Sequence, residues 1–146
     1  TLPIGKPESE RSYEIGKASL LREGDDVTIF GTGMTVGDTL RAYDMLAEKG
    51  ISARVYSMHT IKPIDSEAIL KSAKETKLII TIEEHTVIGG LGGAVAEVLA
   101  DTGTGTPLKR LGLQDVFACM VGSHKDVKDR FGITSEAIVD AVLKHK

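Results

Sequence analysis

The residues best equipped for chemistry in this sequence lie between 83 and 93. Glu83, Glu84 and His85 set two carboxylates beside an imidazole, the materials of a metal site or an acid–base pair. Neighbouring residues on an extended chain point in alternating directions, so the three cannot all face one ligand, and no metal site is expected there. Just beyond, Gly89-Gly90-Leu91-Gly92-Gly93 precedes an apolar stretch of helical character. Successive backbone N–H groups at a helix N-terminus can cradle a phosphate or carboxylate. No Lys follows in the Walker pattern, which excludes a nucleoside-triphosphate loop. The competing reading is mechanical: these glycines let the backbone approach another strand or a second subunit closely.

Two further patterns are weaker. Gly31-x-Gly33 invites a dinucleotide-binding reading, but Val36 stands where the third glycine belongs and Gly37 comes one residue late. The following strand ends in Ser57-Met58-His59, without the acid that would hold ribose hydroxyls, so a tight strand-to-helix turn is expected instead. Cys119 and His124 could form a nucleophile–base pair, yet spacing alone says little, and a buried apolar cysteine is the simpler reading. No catalytic, cofactor-binding or metal-ligating set emerges.

The elements that must position these residues alternate. Residues 1–14 are polar, carry two prolines, and read as a linker or an arm on a neighbour. Lys17–Arg22 suits a short strand that turns at Glu23-Gly24-Asp25 into Val27–Phe30, antiparallel to it if the two pair directly. Val36, Leu40, Tyr43 and Ala47 share one helical face, which Gly50 ends. Ile51–Met58 is the third strand. Asp65 is a good N-cap, with Ile64 and Ile69 at the positions of a hydrophobic staple. Leu78–Ile82 is almost wholly apolar and β-branched, as a strand covered on both faces should be. A helix over Ala94–Ala100 and a strand over Leu108–Leu113 follow. Ser123 with Asp126 forms a capping box, and Ile133 and Ile138 repeat the staple around Thr134. Strands separated by helices mean a mostly parallel α/β sheet covered on both faces.

Composition narrows the function. The 146 residues suit one domain, and 41% apolar with 27% charged residues are globular values. A net charge of −3, with both signs interspersed, leaves no electrostatic footprint for nucleic acid and no basic face for a membrane. No apolar run approaches the roughly 18 residues of a membrane span. A lone cysteine rules out an internal disulfide and fits a reducing, cytoplasmic compartment. The opening TLPIGKPESERSYEIGK has neither an initiator Met nor a signal-peptide core, and reads as cut from something longer.

Four segments in this order resemble the transketolase C-terminal domain over residues 13–145: Tyr13–Ala18, Leu21–Ile29, Ser57–Asp65 and Glu83–Gly92. The domain is shared with 1-deoxy-xylulose-5-phosphate synthase and the beta subunits of 2-oxo-acid dehydrogenases. The string MHTIKPID is most similar to short, often split, bacterial and archaeal transketolases. One departure is Ala118-Cys119-Met120-Val121-Gly122, where the family tends to a small Gly/Ser-rich turn. The resemblance implies a three-layer α/β/α domain over 15–146, with a five-stranded mixed sheet whose first strand is antiparallel. It implies transfer of a two-carbon ketol unit between sugar phosphates, as in the pentose phosphate pathway, by an enzyme using thiamine diphosphate and Mg²⁺. Those groups would be held by other domains or a partner subunit, because neither Gly24-Asp25 nor Gly37-Asp38 is followed by the glycine of the diphosphate motif. This chain alone would then be a scaffold, inactive, beside its twin in a homodimer. Glu83, Glu84, His85 and the loop Gly89, Gly90, Leu91, Gly92 and Gly93 are the expected subunit contact. A rival reading makes that loop the anion site of a regulatory module.

Overall fold

Strand and helix alternate as their apolar periods require. The computed structural model describes residues 13–117 and 122–145. Its elements are β1 (Ser19–Arg22), β2 (Val27–Gly31), α1 (Val36–Ala47), β3 (Ala53–Ser57), α2 (Ser66–Glu75), β4 (Leu78–Thr86), α3 (Leu91–Asp101), β5 (Leu108–Leu113), α4 (His124–Phe131) and α5 (Ser135–Leu143). The five strands make one sheet in the order β1-β3-β2-β4-β5. β2, β3, β4 and β5 are mutually parallel and β1 is antiparallel to β3, the mixed sheet that was expected.

The β1–β2 hairpin does not form. β1 pairs with β3, Ser19 opposite Ser57, so one strand separates it from β2. The connection at 23–26 crosses the start of β3: Asp26 N donates to Ser52 O at 2.8 Å, and Ser52 N donates to Asp26 Oδ2 at 2.9 Å. A Cβ on Gly24 would lie 2.2 Å from the Ala53 carbonyl carbon, so the crossing needs glycine. Four residues easily span the roughly 10 Å between strands two places apart. Edge and centre also suit the two sequences. β2 is buried throughout, whereas every residue of β1 is half-buried.

Alternation divides the strand side chains between two faces. Ile29, Val55, Ile80 and Ile82 pack with Ala42 and Leu46 of α1 and Ile138 and Val142 of α5. Phe30, Tyr56 and Ile79 pack with Ile69 of α2 and Leu91, Val95 and Leu99 of α3. The buried stripe of α1 is rotated from the expected one: Thr39, Ala42 and Leu46 are buried, Leu40 and Tyr43 are half-buried, and Ala47 is exposed. The caps fall where the sequence puts them. Asp65 Oδ1 accepts from Ala68 N at 3.0 Å, Ser123 and Asp126 complete their box, and Thr134 Oγ1 accepts from Ala137 N at 3.2 Å. α4 stands apart in having no buried residue. No described helix is long and apolar enough to cross a membrane.

Candidate functional site

The candidate residues gather at the carboxyl edge of the sheet. β2 continues through α1 to β3 on one side, and β4 continues through α3 to β5 on the other. The gap between the β2 and β4 ends is therefore the switch point where open α/β sheets usually take ligands. A cleft of about 410 Å³ lies between α1, α4 and α5, and one of about 330 Å³ opens at the switch point itself, between Thr32–Met34 and Glu83–Gly90.

Glu83 closes the floor of that second cleft. It is 1% exposed, and its carboxylate spans the start of α3. Oε2 accepts from Leu91 N at 2.6 Å and Oε1 from Gly92 N at 2.7 Å. These are the unpaired donors at the positive end of a helix dipole, so the glycine loop holds an anion that the chain itself supplies. The glycines make room for it. A Cβ on Gly90 would lie 1.9 Å from Glu83 Oε2, and one on Gly92 2.9 Å from both Thr81 Oγ1 and the Arg110 stem. Gly89, at φ +77°, supplies the left-handed turn. Gly93 meets nothing nearer than Val87 O at 3.9 Å.

Leu91 is a correction to the sequence reading. The expected contact includes it, but it is fully buried, in one core cluster with Val95 and Phe30, and offers no surface. The first turn of α3 begins at Leu91, so its side chain points into the sheet rather than out of a loop. Glu83, Gly90 and Gly92 are likewise enclosed within the chain, leaving Glu84, His85 and Gly89 exposed.

Glu83, Glu84 and His85 diverge as an extended chain requires. Glu84 Oε1 reaches α4, 2.8 Å from His124 Nε2 and 3.9 Å from Lys128 Nζ. His85 Nδ1 lies 2.9 Å from Thr86 O. Lys128 also pairs with the buried Asp38 of α1, which Arg41 contacts as well. The sequence carries no signal for this cluster, because the expected apolar stripe of α1 leaves Asp38 on the opposite face. Among the described residues no group of three His, Cys, Asp or Glu side chains is arranged to hold a metal. Cys119 and the departure at 118–121 lie outside the described residues, as do residues 1–12 of the expected linker.

Neither glycine–aspartate pair fits a diphosphate–metal motif. Asp38 already neutralises two cations, and the Gly24 crossing is packed on the backbone of Ala53. Gly31-x-Gly33 is a tight turn: a Cβ on Gly31 would press Thr39 Cγ2 at 2.7 Å, and Gly33 has φ +57°.

Fold and site together define an open α/β domain whose glycine-rich loop is sealed by its own glutamate. The family described as transketolase, C-terminal domain, matches residues 16–138, and the chain belongs to it. The 6-deoxy-6-sulfo-D-fructose transketolase subunit SqwH of Clostridium sp. (strain MSTE9) is 46% identical over 140 residues, 95% of this chain and 43% of that protein. A putative transketolase C-terminal section of Methanocaldococcus jannaschii is 44% identical over 141 residues, 97% of this chain and 43% of that protein. The 1-deoxy-D-xylulose-5-phosphate synthase of Thermomicrobium roseum is 43% identical over 140 residues, 96% of this chain and 22% of that protein. Among solved structures, a split-gene transketolase described as an inactive beta4 tetramer matches with TM-score 0.88 and 40% identity, over 97% of this chain and 46% of its own. The chain thus spans under half the length of these relatives.

Proposed function

We propose that this chain is the C-terminal domain of a cytoplasmic transketolase whose thiamine-binding domains lie outside it. The assembled enzyme, a homodimer of such units, transfers a two-carbon ketol unit between sugar phosphates. Its thiamine diphosphate and Mg²⁺ are held by the thiamine-binding portion. The observation that carries this reading is the 46% and 44% identity, across nearly the whole chain, to a transketolase subunit and to a transketolase C-terminal section. The string MHTIKPID, at 58–65, supports the same choice. Within the assembly this domain works as a scaffold: Glu83 spends its charge on α3, and Glu84 on tying β4 to α4.

The synthase relative, at 43% identity, favours a second reading in which the assembled enzyme makes 1-deoxy-D-xylulose 5-phosphate. Co-expression with the adjacent coding sequence, followed by assay, decides between them. Ketol transfer from a ketose phosphate to an aldose phosphate is expected, and a sulfonated ketose belongs in the donor panel. Formation of 1-deoxy-D-xylulose 5-phosphate would select the synthase instead.

A further inference from the structure

Glu83 and Glu84 at the carboxyl edge find partners within the domain, but the exposed apolar groups there do not. They are also not scattered. Ile15 precedes β1, Met34 follows β2, Ile61 follows β3, Ile88 follows β4, and Phe117 with its neighbour Val116 follows β5. β1 is antiparallel, with Ser19 beside Ser57, so its beginning lies where the parallel strands end. Every one of these side chains therefore belongs to the carboxyl edge. Of the large hydrophobic residues exposed among the described residues, Leu143 at the end of α5 is the one that does not. Ile15 is 82% exposed, Met34 70%, Ile88 64% and Phe117 94%. Single exposed hydrophobics are ordinary, but their collection on one face marks a surface that a partner covers. Met34, Ile61 and Gly89 also line the switch-point cleft of about 330 Å³, which gives the face a concave centre.

We propose that this edge is the seat of the thiamine-binding portion of the same enzyme, an inference that rests on the function proposed above. Two observations select that occupant. More than half the length of the relatives lies outside the match, and the matched domain is the C-terminal one, so that length precedes residue 16. Residues 13–16 lie along this same edge. The Tyr13 ring stands edge-on to His59, 5.1 Å between centroids, and a Cβ on Gly16 would lie 3.1 Å from Pro63 Cγ. In relatives made as one polypeptide, the preceding domain is delivered beside Met34, Ile61 and Ile88.

Hydrogen exchange on the chain alone and in the enzyme assembled with the adjacent coding sequence tests this. In the assembly the amides of 33–36 and 86–89 should exchange at least about tenfold more slowly. A Met34→Lys/Ile88→Lys variant should keep the melting temperature of the chain alone, since both side chains are exposed, yet associate about tenfold or more weakly. A complex that forms without protecting these loops, and tolerates both lysines, overturns the proposal and leaves the transketolase reading standing. No complex at all overturns both. Protection that grows with the concentration of this chain by itself makes a second copy the occupant, and also overturns it.

Discussion

Glu83 sets the behaviour of the glycine loop at the scale of single residues. Glu83→Ala would leave the N–H groups of Leu91 and Gly92 buried without an acceptor. Bonds of this charged kind contribute about 1.5–3 kcal/mol each, so the loss should be about 3 kcal/mol, or roughly 10 °C in melting temperature. Glu83→Gln should cost about half, because its amide turns one donor toward another. Gly90→Ala should be comparably damaging, since its Cβ collides with the carboxylate, whereas Gly93→Ala should be neutral or stabilise by up to about 1 kcal/mol. Thermal melts of the four variants check the order. Phosphate provides an independent check. It should leave the original chain unchanged and raise the melting temperature of Glu83→Ala, whose emptied loop can accept an anion.

Polar side chains anchor three elements. Asp65 serves two of them at once: Oδ1 caps α2, while Oδ2 accepts from Ala18 N at 2.8 Å and holds the approach to β1. Asp65→Ala should therefore cost about 2 kcal/mol, above the usual value for a cap. Asp65→Asn, which keeps one acceptor, should cost less; denaturant titration separates them. α4 buries no residue and rests on its capping box and the pairs Lys128–Asp38 and His124–Glu84. The side-chain and backbone hydrogen bonds from Ser123 hold the Asp126 carboxyl below its ordinary value. A carboxyl lowered by folding stabilises fully above the ordinary aspartate range and loses that effect as pH falls through its folded value. The start of α4 should consequently fray in acid and stay intact at neutral pH. The Ser123 and Asp126 amide shifts, followed by NMR from pH 6 to 2, should report this, and Ser123→Ala, which keeps only the backbone donor, should shrink the transition.

For the whole molecule, two core clusters on opposite faces of one sheet should let the chain fold without a partner. The chain alone should nevertheless show no ketol transfer and no affinity for thiamine diphosphate. Its glycine–aspartate pairs are committed to other contacts, and its anion loop is filled. Calorimetric titration with cofactor and Mg²⁺ measures this directly; saturable micromolar binding would contradict the scaffold role. Homodimer formation by the chain alone, tested by sedimentation over a concentration series, should be weak. The larger domains are expected to supply most of that interface.

The sequence by itself determined the elements, their caps and the family. Leu78–Ile82, the Asp65, Ser123 and Thr134 caps and the two isoleucine staples rest on contacts within about five residues, and local spacing expresses those completely. Ordered motifs such as MHTIKPID carried the family for the same reason. Neighbourhood across the sheet was decided only by the tertiary structure. Glu-Gly-Asp-Asp at 23–26 is equally good chemistry for a hairpin or for a crossing over β3, and packing of Gly24 on Ala53 chose the second. The side of α1 turned inward depends on Asp38 meeting Lys128 from 90 residues away. Glu83 could have been read as a ligand because a carboxylate's type does not name its partner. Its partner became visible only when the fold set the Glu83 carboxylate within 3 Å of the Leu91 and Gly92 nitrogens at the start of α3, leaving no gap for an outside anion.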